Sequence, residues 1–258
     1  MAMRKRAFLG ILGVGAAAVA GAGASPPPAP VRVAAASDLK FALAQLADQY
    51  QRQSARRVEL NLGSSGQFAQ QIRQGLPVDI YLSADEDFVF QLADAGLTSD
   101  RGALYALGRI AALVPASSTV PLDPAMRGLR DAWSQVQHFA IANPQHAPYG
   151  RAARYALERL GLWEMARPKL VLGENIAQAT QFVTSGAAQA GITALSLALA
   201  PEVARVSRHL LLPAHLHEPL RQRMVLLKGA RPGAQDFYKF LQGPAARQVF
   251  ERYGFTAG

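Results

Sequence analysis

The stretch VRVAAASDLKFALAQLADQY (residues 31–50) decides how the rest of the chain is read. VRVAAA is a short apolar run with the character of a buried strand. From Leu39 to Gln53 the residues Leu39, Leu43, Leu46, Ala47 and Tyr50 recur at the spacing of one helix face. Ser37-Asp38 stands where one pattern gives way to the other. The arrangement returns at VELNLGSSGQFAQQI (58–72): strand, hydroxyl, helix. A serine at such a junction has an ordinary use, accepting from the free N–H groups of a helix first turn. Two of them in the same setting also put two hydroxyls at one edge of one sheet. They sit there beside helix N-termini whose free N–H groups and partial positive charge suit an anion.

Outward from this stretch the alternation continues. Further strands are expected at 78–84, 109–116, 138–144, 169–173, 189–195 and 223–228. Helices are expected at 67–74, 86–95, 129–135, 150–160, 176–185, 234–242 and 245–252. Such alternation predicts an α/β protein with parallel sheets covered by helices on both faces. Ligands then sit at the carboxyl ends of the strands, where helices begin. So many elements exceed what one sheet holds, and two lobes are expected. Residues 31–108 plus 222–258 form the first and 109–221 the second, with crossings near Arg109 and Leu220 to Met224.

Composition is that of a globular protein: 258 residues, 50% hydrophobic, 17% charged. The absence of cysteine excludes disulfides and thiolate metal sites. MAMRKR, the apolar run AFLGILGVGAAAVAG and the small residues Ala22-Gly23-Ala24 read together as a secretory signal peptide over 1–24. A retained anchor is the alternative, although the run is short for a span. A stiff Pro-rich leader follows at 25–30. Without Arg4, Lys5 and Arg6 there remain 24 basic and 18 acidic residues, a net charge of +6. That charge helps steer small anions. The basic residues do not cluster into a stripe, so nucleic acid is not an expected partner.

Two more junctions lie in the second half. NPQHAPYG (143–150) ends a strand and opens a helix, with Tyr149 held between Pro148 and Gly150. GENIAQA (173–179) opens another helix, with Ile176 in its first turn. Four junctions from two halves describe a cleft ringed by hydroxyls and amide N–H groups. Neutral donors without an obligatory Arg or Lys suit a fully deprotonated oxyanion, because every ligand oxygen accepts and every site group donates. Asp38 complicates the set. Its expected role is that of a first-turn acid turned away from the cleft.

VAAASDLKFALAQLADQY, GSSGQFAQQI, PVDIYLSAD, NPQHAPYG, GENIAQA, GITALSLA and FLQGPAARQVFERYGF, in this order, resemble the periplasmic molybdate-binding proteins of ABC importers, from about Val31 to Phe255. The resemblance implies a type II periplasmic binding protein fold, two α/β lobes with a hinge and a ligand cleft between them. It implies molybdate or tungstate as ligand, no cofactor and no enzymatic activity. It also implies a periplasmic location and a membrane permease as partner of a monomeric binding protein. The family's ligand-holding positions fall on the hydroxyls of Ser37 and Ser65 and on the N–H groups of Tyr149 and Ile176. In some members the position of Asp38 contributes as well. One departure stands out: many relatives carry a tyrosine in the segment GITAL where this chain has Ala194, so that a donor is lost. Tyr149 is expected to compensate through its hydroxyl or its backbone. Rival readings are another oxyanion (sulfate, thiosulfate or phosphate), a one-component signalling receptor, and a serine hydrolase using Ser37 or Ser65 with His138 or His146. The motif G-x-S-x-G is absent.

Overall fold

The computed structural model describes residues 29–257. The expected signal peptide, and the leader up to residue 28, lie outside them. Ten strands are found: β1 Val31–Ala36, β2 Val58–Gly63, β3 Ile80–Ser83, β4 Ala103–Gly108, β5 Ile110–Pro115, β6 Phe139–Ala142, β7 Leu170–Gly173, β8 Ala190–Ala194, β9 Ser207–Leu211 and β10 Leu220–Leu226. They form two five-stranded sheets with helices, ordered β2-β1-β3-β10-β4 and β7-β6-β8-β5-β9.

Each sheet is mixed, not wholly parallel as the alternation alone predicts. β2, β1 and β3 run parallel, and β10 enters antiparallel between β3 and β4. In the other sheet β7, β6 and β8 run parallel, and β5 lies antiparallel to both β8 and β9. The reversed strand in each sheet is the one that receives the chain from the other lobe. β4 ends at Gly108 and β5 begins at Ile110, while β10 brings the chain back. Leu220 and Arg221 already pair with Gly108 and Leu107, so the return to the first sheet precedes the boundary expected at residue 222. The edge strand β4 is an addition to the elements expected from sequence.

The buried runs explain the strand choices. Every residue of β1 except Arg32 is buried, as befits a central strand covered on both faces. Val33 and Ala35 pack with Leu43, Leu46 and Phe237 on one side. Ala34 packs with Phe68, Ile72 and Tyr81 on the other. In the second lobe Ile110, Phe139 and Ile141 pack against Ala153 and Leu157, and Ala111, Leu113 and Ala140 pack against Val183 and Ala198. A fully buried Leu or Phe contributes roughly 1.5–3 kcal/mol, so each sheet has its own core and holds its strand ends rigidly. The carboxyl ends of β1, β2 and β3 face those of β6, β7 and β8, and the loops leaving them meet in the cleft.

Candidate functional site

Ser37 follows β1 directly and opens a single 3₁₀ turn, Ser37–Leu39, before the helix Lys40–Ser54. It caps neither element with its side chain. Its hydroxyl reaches the other lobe instead. It donates to Asn175 Oδ1 at 3.0 Å and accepts from the Ala177 N–H at 3.1 Å. The helix Ser65–Arg73 starts two residues earlier than its apolar spacing suggests, which makes Ser64 the N-cap and Ser65 the first helical residue. Ser64 likewise makes no side-chain cap bond. Ser65 Oγ accepts from the Ala84 N–H, 3.0 Å away after the end of β3, and the Ser65 carbonyl accepts from the buried Tyr81 hydroxyl at 2.7 Å. The ordinary use of such serines, capping their own helix, is therefore not the use found. Ser37 and Ser65 are 2% and 1% exposed, and the hydroxyl proton of Ser65 remains available to an acceptor in the cavity.

The helix Pro148–Arg159 also begins earlier than expected. Pro148 occupies its first position, where a missing N–H costs nothing, and Tyr149 the second. Gly150 is required by close packing: a Cβ there would lie 2.2 Å from the Ala142 carbonyl oxygen at the end of β6. Ile176 opens the helix Ile176–Thr184, capped by Asn175, whose side chain accepts from the Gln178 N–H. The N–H groups of Tyr149 and Ile176 stand in first turns, where no intrahelical acceptor exists.

These elements line a small recess, partly open to solvent, formed by Ser37, Asp38, Ser64, Ser65, Ala84, Tyr149 and Ile176 with their small neighbours. All five residues singled out from sequence thus meet in one place. Among the described residues that line the cavity there is no Lys or Arg. The lobes also touch directly around it. Ser64 Oγ and the Gly66 N–H both donate to the His146 carbonyl, at 2.6 and 3.0 Å. Gln67 donates to Glu174 at 2.7 Å, and Arg151 pairs with Asp85.

Asp38 stands in a first turn as expected, that of the 3₁₀ turn Ser37–Leu39, but departs from an ordinary solvated acid. It is 1% exposed, and its Oδ2 accepts from Gln222 Nε2 at 2.6 Å, while Oδ1 is buried without a hydrogen-bond partner. Burial pushes its carboxyl up to about 6, against the opposing pull of the Gln222 amide and of the Tyr149 hydroxyl nearby. Tyr149 departs as well. Its hydroxyl accepts from Gln222 Nε2 at 3.0 Å, and burial together with the Asp38 carboxylate holds its pKa well above the usual phenol range. That hydroxyl is engaged behind the cavity, so it does not replace the donor lost at Ala194, and only the backbone N–H of Tyr149 is left for that part. Ala194 ends β8 and is fully buried; two residues on, Ser196 Oγ donates to the Asp38 carbonyl at 2.8 Å.

Three participants were not read from sequence: Ser64, Asn175 and Gln222. The doubled serine and the Asn before an apolar helix start are local signals that point to the first two. Gln222 has no such signal. A serine–histidine contact does occur, His146 Nδ1 lying 3.0 Å from Ser64 Oγ and His146 Nε2 3.7 Å from Glu174. It involves neither of the serines weighed as nucleophiles. The Ser64 proton is directed at the histidine's own carbonyl at 2.6 Å, which leaves the ring no proton to accept from it.

Known proteins bear on this arrangement. The sequence profile of the family described as bacterial extracellular solute-binding protein matches residues 31–256. The molybdate-binding protein of Azotobacter vinelandii is 34% identical over 226 residues, covering 86% of this chain and 88% of the relative. That of Rhodobacter capsulatus is 32% identical, covering 86% of each. The solved structure of the Azotobacter vinelandii periplasmic molybdate-binding protein superposes with a TM-score of 0.81 at 30% identity, covering 88% of this chain and 99% of that one. Two lobes, a hinge and a cleft walled by strand ends are thus the type II periplasmic binding protein fold, and the chain belongs to the bacterial extracellular solute-binding protein family.

Proposed function

We propose that this protein binds molybdate, and tungstate with it, in the periplasm and delivers the ion to the membrane permease of an ABC importer. The observation that carries the reading is the cavity itself: hydroxyls and first-turn N–H groups converge on it from both lobes, without a Lys or Arg among its lining residues. Ser65 Oγ and the N–H groups of Tyr149 and Ile176 are the donors, and Ser37 joins them by turning its proton from Asn175 to the ion. A dianion that keeps no proton near neutral pH matches these donors, the Asp38 carboxyl among the lining residues being taken by the Gln222 amide. Helix N-termini supply the compensating positive potential. The similarity to molybdate-binding relatives supports the choice of ion.

Selectivity follows from size. Sulfate has the same charge and shape but is smaller. In a ring held open by two rigid cores its hydrogen bonds are long. Each mismatched bond to a charged group costs about 1.5–3 kcal/mol, and a few of them separate the ions by a factor of roughly thousands. Calorimetric titration with molybdate, tungstate, sulfate and phosphate is the test. Molybdate and tungstate are expected to bind with similar affinity, and a thousandfold excess of sulfate to leave them in place. Tighter binding of sulfate or phosphate sinks the assignment.

A further inference from the structure

Gln222 lies outside the cavity lining, yet it connects what the cavity depends on. It is fully buried in β10, at the point where the pairing of β10 with β4 shifts register between Gln222 and Arg223. The residue passed over by the shift is Tyr105 of β4, which stands between Leu104 and Ala106 without a counterpart on β10. Gln222 lies on the buried face of β10 with Leu220 and Met224, and its side chain goes to the seam between the lobes. The Tyr105 hydroxyl donates to Gln222 Oε1 at 2.6 Å, which fixes the orientation of the amide. The two protons on Nε2 then go to Asp38 Oδ2 at 2.6 Å and to the Tyr149 hydroxyl at 3.0 Å. Tyr105, Asp38 and Gln222 belong to the first lobe and Tyr149 to the second. There is no slack around this link. A Cβ on Gly108, at the crossing between the lobes, would lie 2.3 Å from the Tyr149 hydroxyl and 2.7 Å from Gln222 Nε2.

We propose that Gln222 is a positioning residue for the oxyanion site: by holding the Tyr149 hydroxyl against the Asp38 turn it sets the aim of the Tyr149 N–H into the cavity. The inference rests on the reading of that cavity as an oxyanion site. A tyrosine side chain has only two rotatable angles, so pinning its far end fixes the residue, and with it the start of the helix Pro148–Arg159. On this proposal the link forms as the lobes close. Its loss therefore speeds release of the ion more than it slows capture.

The test is a double-mutant cycle read by molybdate affinity and dissociation rate. Tyr149→Phe keeps the ring and the backbone N–H and removes only the hydroxyl that Gln222 holds. Gln222→Met keeps length and removes all three bonds, the one to the Tyr149 hydroxyl among them. Each is expected to weaken molybdate binding by about tenfold, the scale of one hydrogen bond, chiefly through faster release. The double variant is expected to be no weaker than the weaker single, because both break the same link. Ser65→Ala, made in each background, is expected to multiply the loss, and ligand-free Tyr149→Phe to stay folded, its melting temperature lowered by the few degrees that one unsatisfied buried donor costs. Wild-type affinity in Tyr149→Phe, or multiplicative losses in the double variant, overturns the proposal. If Gln222→Met does not fold, Tyr149→Phe decides alone by the same criterion. Failure of the wild type itself to bind molybdate overturns the oxyanion reading instead, and so is told apart.

Discussion

Replacing Ser65 by alanine removes one hydroxyl and little else. Ser65 stands at the first position of its helix, where alanine is an equally good helix former, and its side chain makes no cap bond. In the structure its oxygen accepts from the Ala84 N–H, so the variant leaves that amide without its partner. An unsatisfied buried donor costs about 1–3 kcal/mol. For a chain of this size each kcal/mol lowers the melting temperature by roughly 2–4 °C, so the ligand-free variant stays folded at room temperature. The effect on the ion is separate. A hydrogen bond to a charged group contributes about 1.5–3 kcal/mol, so molybdate affinity falls by roughly tenfold to a hundredfold. Ser37→Ala loses as much toward the ion and, in addition, the cross-lobe bonds to Asn175 and Ala177. The two sites draw on different elements, so their losses combine and the double variant is weaker by roughly 10²–10⁴. Titration calorimetry measures the affinity, and circular dichroism melting in the absence of ion measures the fold. A double variant that melts near the wild type and binds molybdate within threefold of it refutes the assignment of these hydroxyls as donors.

Other outcomes follow from the same geometry. Asp38 has a folded-state pKa raised to about 6, so its protonated form favours the fold: its contribution is complete below the model-compound value near 3.8 and is lost as pH rises through about 6. The span corresponds to about 3 kcal/mol, and Asp38→Asn is therefore expected to melt higher than the wild type at pH 7.5 and with a flatter profile between pH 4 and 7. Gly150→Ala drives a methyl into the Ala142 carbonyl at the end of β6; it is expected to cost about 1–3 kcal/mol in urea unfolding and to weaken molybdate binding by shifting the Tyr149 N–H. Small-angle scattering is expected to show contraction of the wild type on adding molybdate and no change on adding sulfate, and a profile indifferent to molybdate counts against closure around the ion.

The parts of the fold that announce themselves in sequence are those with local causes. β1 is an apolar run and β2 an alternation of apolar and polar residues; both stop at a hydroxyl, and the helices after them carry one apolar face, so the Ser37 and Ser65 junctions are legible without a partner. The antiparallel placement of β5 and β10 is not, because a crossing strand is as apolar as a parallel one and only its neighbours reveal its direction. β4, ALYALG, sits at a sheet edge, and four of its six residues are only half-buried. Its run between two glycines resembles a loop until β10 pairs with it. Helix starts shift by two residues at Ser65 and at Pro148 because apolar spacing marks the packed face, not the first turn. Gln222 is the extreme case. Its three partners lie at positions 38, 105 and 149, and the irregularity at Tyr105 that sets one of them beside it exists only once β10 has paired with β4.

The contacts across the cleft explain why closure and capture belong together on this reading. Gln67 with Glu174 and Arg151 with Asp85 lie at the rim, partly open to water; pairs of that kind are worth about 0–1 kcal/mol. The two bonds to the His146 carbonyl add about 1 kcal/mol each. Against this stand the first-turn N–H groups of Tyr149 and Ile176 and the hydroxyl of Ser65, which closure takes out of water. A buried donor without an acceptor costs about 1–3 kcal/mol, so closure without an ion carries a penalty that offsets part of what the direct contacts contribute. A tetrahedral dianion removes that penalty by giving every one of those donors an acceptor at once. An ion too small to reach both lobes satisfies the donors of one and leaves the rest unpaired, so discrimination by size is exercised through the closing equilibrium as well as through the length of individual bonds. The +6 charge of the chain without its basic start acts at longer range, raising the local anion concentration without choosing among anions. Choice is thereby left to neutral donors held at a fixed radius by two packed sheets.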